Sequence, residues 1–127
     1  MNISALQNAL KSLKDAYSEY NKTQNEYVRD SVIQRFEYTY ALAVKFIQRY
    51  IELNIPNQED LSTLTFNQLI RQANEMGILL NDLEQWIIYR QKRNITSHTY
   101  NIEKAKEVIS IVGKFIEEIE YLITKLK

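Results

Sequence analysis

The stretch DSVIQRFEYTYALAVKFIQRYIE, residues 30–52, decides the fold. Its apolar side chains recur every three or four positions, which is the spacing of one face of an α-helix rather than of a strand. The positions on this face are Val32, Phe36, Tyr40, Ala43, Ile47, Tyr50 and Ile51. Pro56 disfavours a helical residue before it, so the helix ends near Asn54. If it starts at Ser31, where Ser31 and Gln34 match a capping box, it is about 23 residues and 35 Å long; the start could also lie several residues earlier.

Four other helices are predicted from the same periodicity and from residues that favour helix starts. The start signals are Ser4 with Gln7, Thr65 with Gln68, Asn81 with Glu84, and Asn101. They predict a first helix over residues 4–20, a short third helix that ends near Gly77, a fourth helix that reaches Arg90, and a last helix capped by Asn101. A polar linker at 57–63 separates the second helix from the third.

These elements predict an all-α fold, an antiparallel up-and-down bundle of four main helices plus a short helix. Only two glycines and one proline occur in 127 residues, so few positions interrupt a helix. We expect one domain over residues 1–127, because this length supports one core and no repeat or second composition is present. The last helix also has a heptad-like pattern that could form an intermolecular coiled coil. Its wide apolar arc, which includes Ile111, favours burial in the bundle.

The composition excludes several classes of function. Sixteen Lys and Arg balance sixteen Asp and Glu, so contact with a polyanion requires a local patch. The chain has no cysteine and one histidine, and we therefore expect no disulfide, no metal site and no cofactor. Neither a signal peptide nor an apolar run long enough for a membrane span is present. The sequence predicts a cytoplasmic protein without a membrane partner.

The segment YRQKRNITSHTY, residues 89–100, concentrates polar and charged side chains around the single histidine. On an unbroken helix Arg93 and His98 would lie about 140° apart, whereas Asn94 and His98 would share a face. The guanidinium and the imidazole can therefore converge only if the helix ends or bends between them. The β-branched pair Ile95 and Thr96 makes such an end reasonable.

Two interpretations of this segment follow from spacing alone. A lone histidine near a helix end most often caps carbonyls or fills a half-buried position, and RQKR is most often a solvated face. The arrangement R-N-x-x-x-H-x-Y, however, resembles the R-x4-6-H motif of the HEPN superfamily, in the R-x4-H-x-Y form of its HepT subgroup, also called nucleotidyltransferase substrate-binding proteins. The stretch 30–52 resembles the long second helix of that subgroup, and the helix order fits nearly the whole chain.

The resemblance implies a toxin of a two-gene toxin–antitoxin pair that cleaves RNA without a metal and has a minimal nucleotidyltransferase as antitoxin. It implies Arg93 and His98 as the catalytic pair, Asn94 as an assisting polar residue, and Tyr100 as the residue that the partner modifies with AMP. Without the resemblance, Tyr100 could equally pack at the start of the last helix.

The residue types suit this chemistry. Histidine can act as base or acid near neutral pH, and a guanidinium can hold a phosphate with two hydrogen bonds. One imidazole cannot serve both sides of a phosphate at once, so we expect a homodimer. Arg90 and Lys92 are candidates for binding the RNA backbone, and Arg29 and Arg35 could join them.

Two other functions remain open. The chain could be a subunit without catalytic activity that presents a nucleotide or substrate to a nucleotidyltransferase, or an adaptor whose helices only contact other proteins.

Overall fold

The computed structural model describes residues 1–55 and 63–127, which fold into a bundle of five α-helices. The helices are α1 Ser4–Thr23, α2 Glu26–Asn54, α3 Phe66–Glu75, α4 Leu83–Asn94 and α5 Ile102–Leu126. The prediction of an all-α fold is therefore confirmed. The helix α2 ends at Asn54 as expected. Pro56 and linker residues 57–62 lie outside the described residues.

The connection between α1 and α2 is shorter than predicted, because both helices extend toward it. Gln24 has a left-handed backbone, with φ 54°, and ends α1. Asn25 then caps α2, and its side-chain oxygen accepts hydrogen bonds from the N–H groups of Tyr27 and Val28, at 2.8 and 3.2 Å. The predicted capping box at Ser31 is wrong: Ser31 lies inside α2, where the helix backbone already satisfies its N–H groups.

The predicted first residue of α1, Ser4, is confirmed, but the predicted caps of α1 and α4 are wrong. Helix α1 has Ile3 at its N-cap position, and Ser4 makes no capping bond because its side chain bonds Asn2 instead. Helix α4 has Asp82 at its N-cap position, and the neighbouring Asn81 side chain donates to Glu118 at 2.9 Å. In both places the expected capping residue forms a hydrogen bond with a side chain outside the helix instead of with the helix backbone.

The starts of α3 and α5 are confirmed. Thr65 accepts from the N–H of Gln68 at 3.2 Å, and the Gln68 side chain accepts from the N–H of Thr65 at 2.9 Å, a complete capping box. Asn101 caps α5 by accepting from the N–H groups of Glu103 and Lys104. Gly77 follows α3 with φ 76°, the left-handed conformation that was expected there.

Helices α1, α2 and α5 form the main body of the bundle, and α3 and α4 cover one side of it. Helix α1 runs antiparallel to both partners: Ser12 bonds Arg35 on α2, and Lys14 bonds Glu120 on α5. Under α4 lies a cluster of aromatic rings in edge or tilted contact. Its members are Phe36, Tyr40, Trp86, Tyr89 and Phe115. Ten of the residues on α5 are buried, so α5 belongs to the core of this chain.

One carboxylate, Glu118 on α5, is fully buried in this core. It accepts hydrogen bonds from the N–H groups of Leu80 and Asn81, from the Asn81 amide and from the hydroxyl of Tyr89. Glu118 therefore fixes the chain just before α4 begins. In the described part of the chain, no helix has the length and apolar character needed to cross a membrane.

Candidate active site

Helix α4 ends between Arg93 and His98, as the sequence predicts. Its last residue is Asn94, and a short 3₁₀ turn over Thr96–His98 follows. The backbone N–H of Ile95 donates to the carbonyl of Lys92, at 3.2 Å, and the N–H of His98 donates to the carbonyl of Ile95, at 2.9 Å. Each bond spans three residues instead of four, so the chain tightens and leaves the helical path. His98 is thereby released from the face that it would occupy on a continuous helix.

The four residues of the predicted motif are all exposed. Arg93 ends the last turn of α4 together with Asn94, His98 lies in the 3₁₀ turn, and Tyr100 precedes α5 with 89% of its surface exposed. The ring centroids of His98 and Tyr100 are 6.3 Å apart, with planes inclined by 71°. Within residues 1–55 and 63–127, neither the Arg93 guanidinium nor the His98 imidazole has a hydrogen-bond or ion-pair partner. Both groups are open to a ligand from solvent.

The basic residues near the motif divide into two groups. Arg90 and Arg93 lie close enough to α2 for both positive charges to act on the phenol of Tyr40. Arg90 also places its guanidinium 4.7 Å from the centre of the Phe66 ring, a cation–π contact that orients it. Arg35 does not join them, because its guanidinium bonds Ser12 and Ser31 on the side that faces α1.

Lys92 and Arg29 are the other two basic residues that the sequence suggests for this region. Lys92 is half-buried on α4. The guanidinium of Arg29 is ion-paired with Asp30 at 3.3 Å, and its side chain is only 14% exposed. Arg90, Lys92 and Arg93 on α4 therefore remain the candidates for a basic patch.

The 3₁₀ turn is held to α2 by a hydrogen bond that sequence reasoning missed. The hydroxyl of Thr96 lies 2.5 Å from a carboxylate oxygen of Glu37 and 2.8 Å from the carbonyl oxygen of Arg93. A hydroxyl has one proton, and the carboxylate is the stronger acceptor. Glu37 therefore fixes the turn that contains His98. No signal in the sequence connects these two residues, which are 59 positions apart.

Tyr40 lies beneath this region, on the same face of α2 as Glu37. It is 7% exposed, and its ring contacts the rings of Phe36, Trp86 and Phe115 at centroid distances of 6.4, 6.4 and 6.5 Å. Burial raises the pKa of the Tyr40 hydroxyl to about 12, although the nearby charges of Arg90 and Arg93 oppose the shift. The hydroxyl is thus protonated at neutral pH and can donate a hydrogen bond.

A large groove between two helices lies elsewhere on the described residues. It has a volume of about 700 Å³ and runs between α1 and the first turns of α2, where Lys11, Ser12, Asp15, Tyr27 and Arg35 are among its lining residues. None of the residues of the predicted motif lines it. We therefore place the candidate site on the open surface around the end of α4.

These observations can be compared with known proteins. The model of the family described as nucleotidyltransferase substrate binding protein like matches residues 1–127, the whole chain. The chain belongs to this family. The family is HepT-like and of the HEPN type, as the resemblance in the motif implied.

A relative from Haemophilus influenzae, named probable ribonuclease HepT, is 37% identical over 95 residues. That match covers 75% of this chain and 64% of the relative, so a third of the relative's length lies outside it.

Solved structures agree with the family assignment. A Haemophilus influenzae protein, described as showing the fold of a substrate binding domain of a nucleotidyltransferase, superimposes with a TM-score of 0.90 at 29% identity over 98% of both chains. A protein from Thermus thermophilus superimposes with a TM-score of 0.77 at 26% identity, over 96% of this chain and 98% of that chain. The bundle is therefore the fold of this family.

Proposed function

We propose that this chain is a metal-independent endoribonuclease and the toxin of a toxin–antitoxin pair whose antitoxin is a minimal nucleotidyltransferase. The observation that supports this most is the break in α4, which leaves Arg93 and the only imidazole of the chain exposed on neighbouring turns, without a partner among the described residues. The name of the Haemophilus influenzae relative, probable ribonuclease HepT, points the same way. We further propose that the protein acts in the cytoplasm.

In the proposed reaction, the imidazole of His98 takes the proton of a ribose 2′-hydroxyl, and the 2′-oxygen attacks the adjacent phosphorus. The guanidinium of Arg93 stabilises the negative charge that develops on the phosphorane. The bond from phosphorus to the 5′-oxygen then breaks, and that oxygen takes up a proton. The products are a 2′,3′-cyclic phosphate and a free 5′-hydroxyl. Each proton transfer contributes typically about 10²–10⁴ in rate.

The two proton transfers occur on opposite sides of the phosphate, and one chain has one imidazole. We therefore propose a homodimer in which a two-fold axis places two 93–98 segments across one cleft. Asn94, exposed beside Arg93, would add a polar contact to the phosphate or to His98. Arg90 and Lys92, counted twice in the dimer, would bind the RNA backbone although the whole chain is neutral.

Tyr100 is the proposed site of regulation by the partner. A tyrosine with 89% of its surface exposed is accessible to a second protein, and its ring lies 6.3 Å from that of His98. Transfer of AMP from ATP to its hydroxyl would release pyrophosphate and place an anion beside the catalytic pair. The added group would block the phosphate site by its size and by charge repulsion.

The second candidate function is a binding subunit without catalytic activity that presents a nucleotide or substrate to a nucleotidyltransferase. The description of the structural relative as a substrate binding domain favours it. Such a subunit needs no general base beside a phosphate-binding cation, so the two candidates differ in what they require of His98.

Cleavage of several RNAs in excess EDTA separates the two functions. We expect the wild-type protein to cleave, and His98→Ala and Arg93→Ala to lose activity by about 100-fold or more. Lys45→Ala is the matched control for Arg93→Ala, because Lys45 is a cation on α2 that lines a different groove. If wild type and His98→Ala behave identically on every RNA, the binding subunit is the correct function.

A further inference from the structure

We propose that the hydroxyl of Tyr40 contacts the RNA phosphate in the candidate site, where it donates a hydrogen bond beside Arg90 and Arg93. This inference rests on the proposed function, and it adds α2 to the elements that bind the substrate. The resemblance in the 90–100 segment does not include this residue. In sequence, Tyr40 is one more member of the apolar stripe of α2.

The first argument is the direction of the α4 side chains. Trp86, Arg90 and Arg93 are separated by four and three residues, so they follow one another along a single face of α4. Trp86 is fully buried and its ring contacts that of Tyr40, at a centroid distance of 6.4 Å. The face that bears the two arginines is therefore the face directed toward α2.

The second argument is that two contacts between the helices bracket these arginines. One is the ring contact of Trp86 with Tyr40, and the other is the hydrogen bond from Thr96, just after α4, to Glu37. Tyr40 and Glu37 are three residues apart and share one side of α2. The positions of Arg90 and Arg93 on α4 lie between the two contacts. Both positive charges act on the phenol of Tyr40, and the Arg90 guanidinium also lies over the Phe66 ring at the start of α3.

The third argument is the state of the hydroxyl itself. A buried tyrosine hydroxyl usually has a hydrogen-bond partner. That of Tyr40 has none among residues 1–55 and 63–127. In these ranges, the side-chain atoms that are shielded from solvent and also lack a partner belong to Arg29, Thr39 and Trp86. The Tyr40 hydroxyl is not among them although it lacks a partner, so it still reaches solvent. A protonated donor that solvent still reaches, within range of two positive charges, suits a phosphate oxygen.

The variant Tyr40→Phe tests the contact, because it removes the hydroxyl and retains the ring that packs in the aromatic cluster. Tyr38→Phe is the matched control: Tyr38 is two residues away on α2, and its hydroxyl bonds Ser12 on the α1 side. Binding is measured by fluorescence anisotropy with a 2′-O-methyl RNA oligonucleotide, which cannot be cleaved by 2′-hydroxyl attack. Cleavage of the unmodified RNA is measured in parallel.

We expect Tyr40→Phe to raise the Kd for the methylated RNA and to lower kcat/KM for cleavage by about 10-fold to 100-fold, and Tyr38→Phe to change neither. Unfolding in urea serves to verify that both variants remain folded. The inference is overturned if Tyr40→Phe binds as wild type does, or if the wild-type protein does not bind this RNA. If wild type binds RNA without cleaving it, the nuclease proposal fails, and the Kd of Tyr40→Phe still decides whether the hydroxyl contacts the phosphate.

Discussion

Replacing Thr96 by Val removes the hydroxyl that ties the 3₁₀ turn to α2 while it keeps the branched shape of the side chain. The acceptor is a carboxylate oxygen of Glu37 at 2.5 Å, so the bond is charge-assisted. Such bonds contribute about 1.5–3 kcal/mol in sheltered positions. Glu37 is exposed and Thr96 is half-buried, and solvent reduces the expected loss in the free energy of unfolding to about 1 kcal/mol.

The effect on cleavage should be larger than the effect on stability. His98 lies two residues after Thr96, and the turn between them has no other side-chain bond to α2 within the described residues. A shift of about 1 Å in a catalytic group can lower the rate by about 100-fold. We therefore expect Thr96→Val to reduce kcat for RNA cleavage by about 10-fold to 100-fold and to leave KM nearly unchanged, because the arginines on α4 stay in place.

Thr96→Ser keeps the hydroxyl and loses the methyl group, and it should retain the wild-type kcat. If only the volume of the side chain mattered, Thr96→Ser would lower kcat instead. Thr124→Val is the control for the change itself, since Thr124 lies near the far end of α5 and, among the described residues, its hydroxyl bonds the carbonyl of Tyr121 alone. Single-turnover cleavage and urea unfolding are measured on the same preparations. Thr96→Val with a lowered free energy of unfolding and an unchanged kcat would refute the positioning role of Glu37.

Two further predictions concern the core. Glu118→Ala leaves the partly buried N–H groups of Leu80 and Asn81 without their acceptor, and urea unfolding should show a loss of about 1–3 kcal/mol. The neighbouring exposed Glu117→Ala should stay within about 0.5 kcal/mol of wild type, and equal effects of the two variants would contradict the assignment. For Tyr40, the pKa is about 12 in the folded protein against 10.0 ordinarily, so the folded state favours the protonated hydroxyl. The contribution of the protonated hydroxyl to the free energy of unfolding is complete below pH 10 and is lost as pH rises to about 12. This loss is on the order of 2 kcal/mol. Urea unfolding between pH 10 and about 12 should show that the free energy of unfolding depends less on pH in Tyr40→Phe than in wild type. The same pH dependence in both proteins would contradict the raised pKa of Tyr40.

The sequence predicts the helices well where long stripes of apolar residues determine them. The stripe of α2 is long enough to be unambiguous, and its predicted positions are buried except Tyr50, which is half-buried. Helix starts are predicted less well, because the S-x-x-Q pattern also occurs inside helices. Ser31 fits that pattern, yet Asn25 caps the helix, since the chain turns at Gln24.

The local part of the site follows from spacing, and the part made by distant residues does not. The β-branched pair Ile95 and Thr96, followed by the Asn101 cap, indicated the end of α4 between Arg93 and His98. The roles of Glu37 and Tyr40 depend on how α2 packs against α4 and the turn, which a single sequence does not reveal. Tyr89 illustrates the same limit: it is fully buried, and its hydroxyl bonds Glu118, which lies 29 positions further along the chain.

The chemistry of the cut ends tests the central claim most directly. An RNA oligonucleotide and the same oligonucleotide with one 2′-deoxy nucleotide at the cleaved position are incubated with the wild-type protein and with His98→Ala, in excess EDTA. We predict 2′,3′-cyclic phosphate and 5′-hydroxyl ends from wild type, no cut at the deoxy position, and a loss of cleavage in His98→Ala. Cleavage at the deoxy position, or products with 3′-hydroxyl and 5′-phosphate ends, would contradict the proposal that Arg93 and His98 catalyse attack by the 2′-hydroxyl.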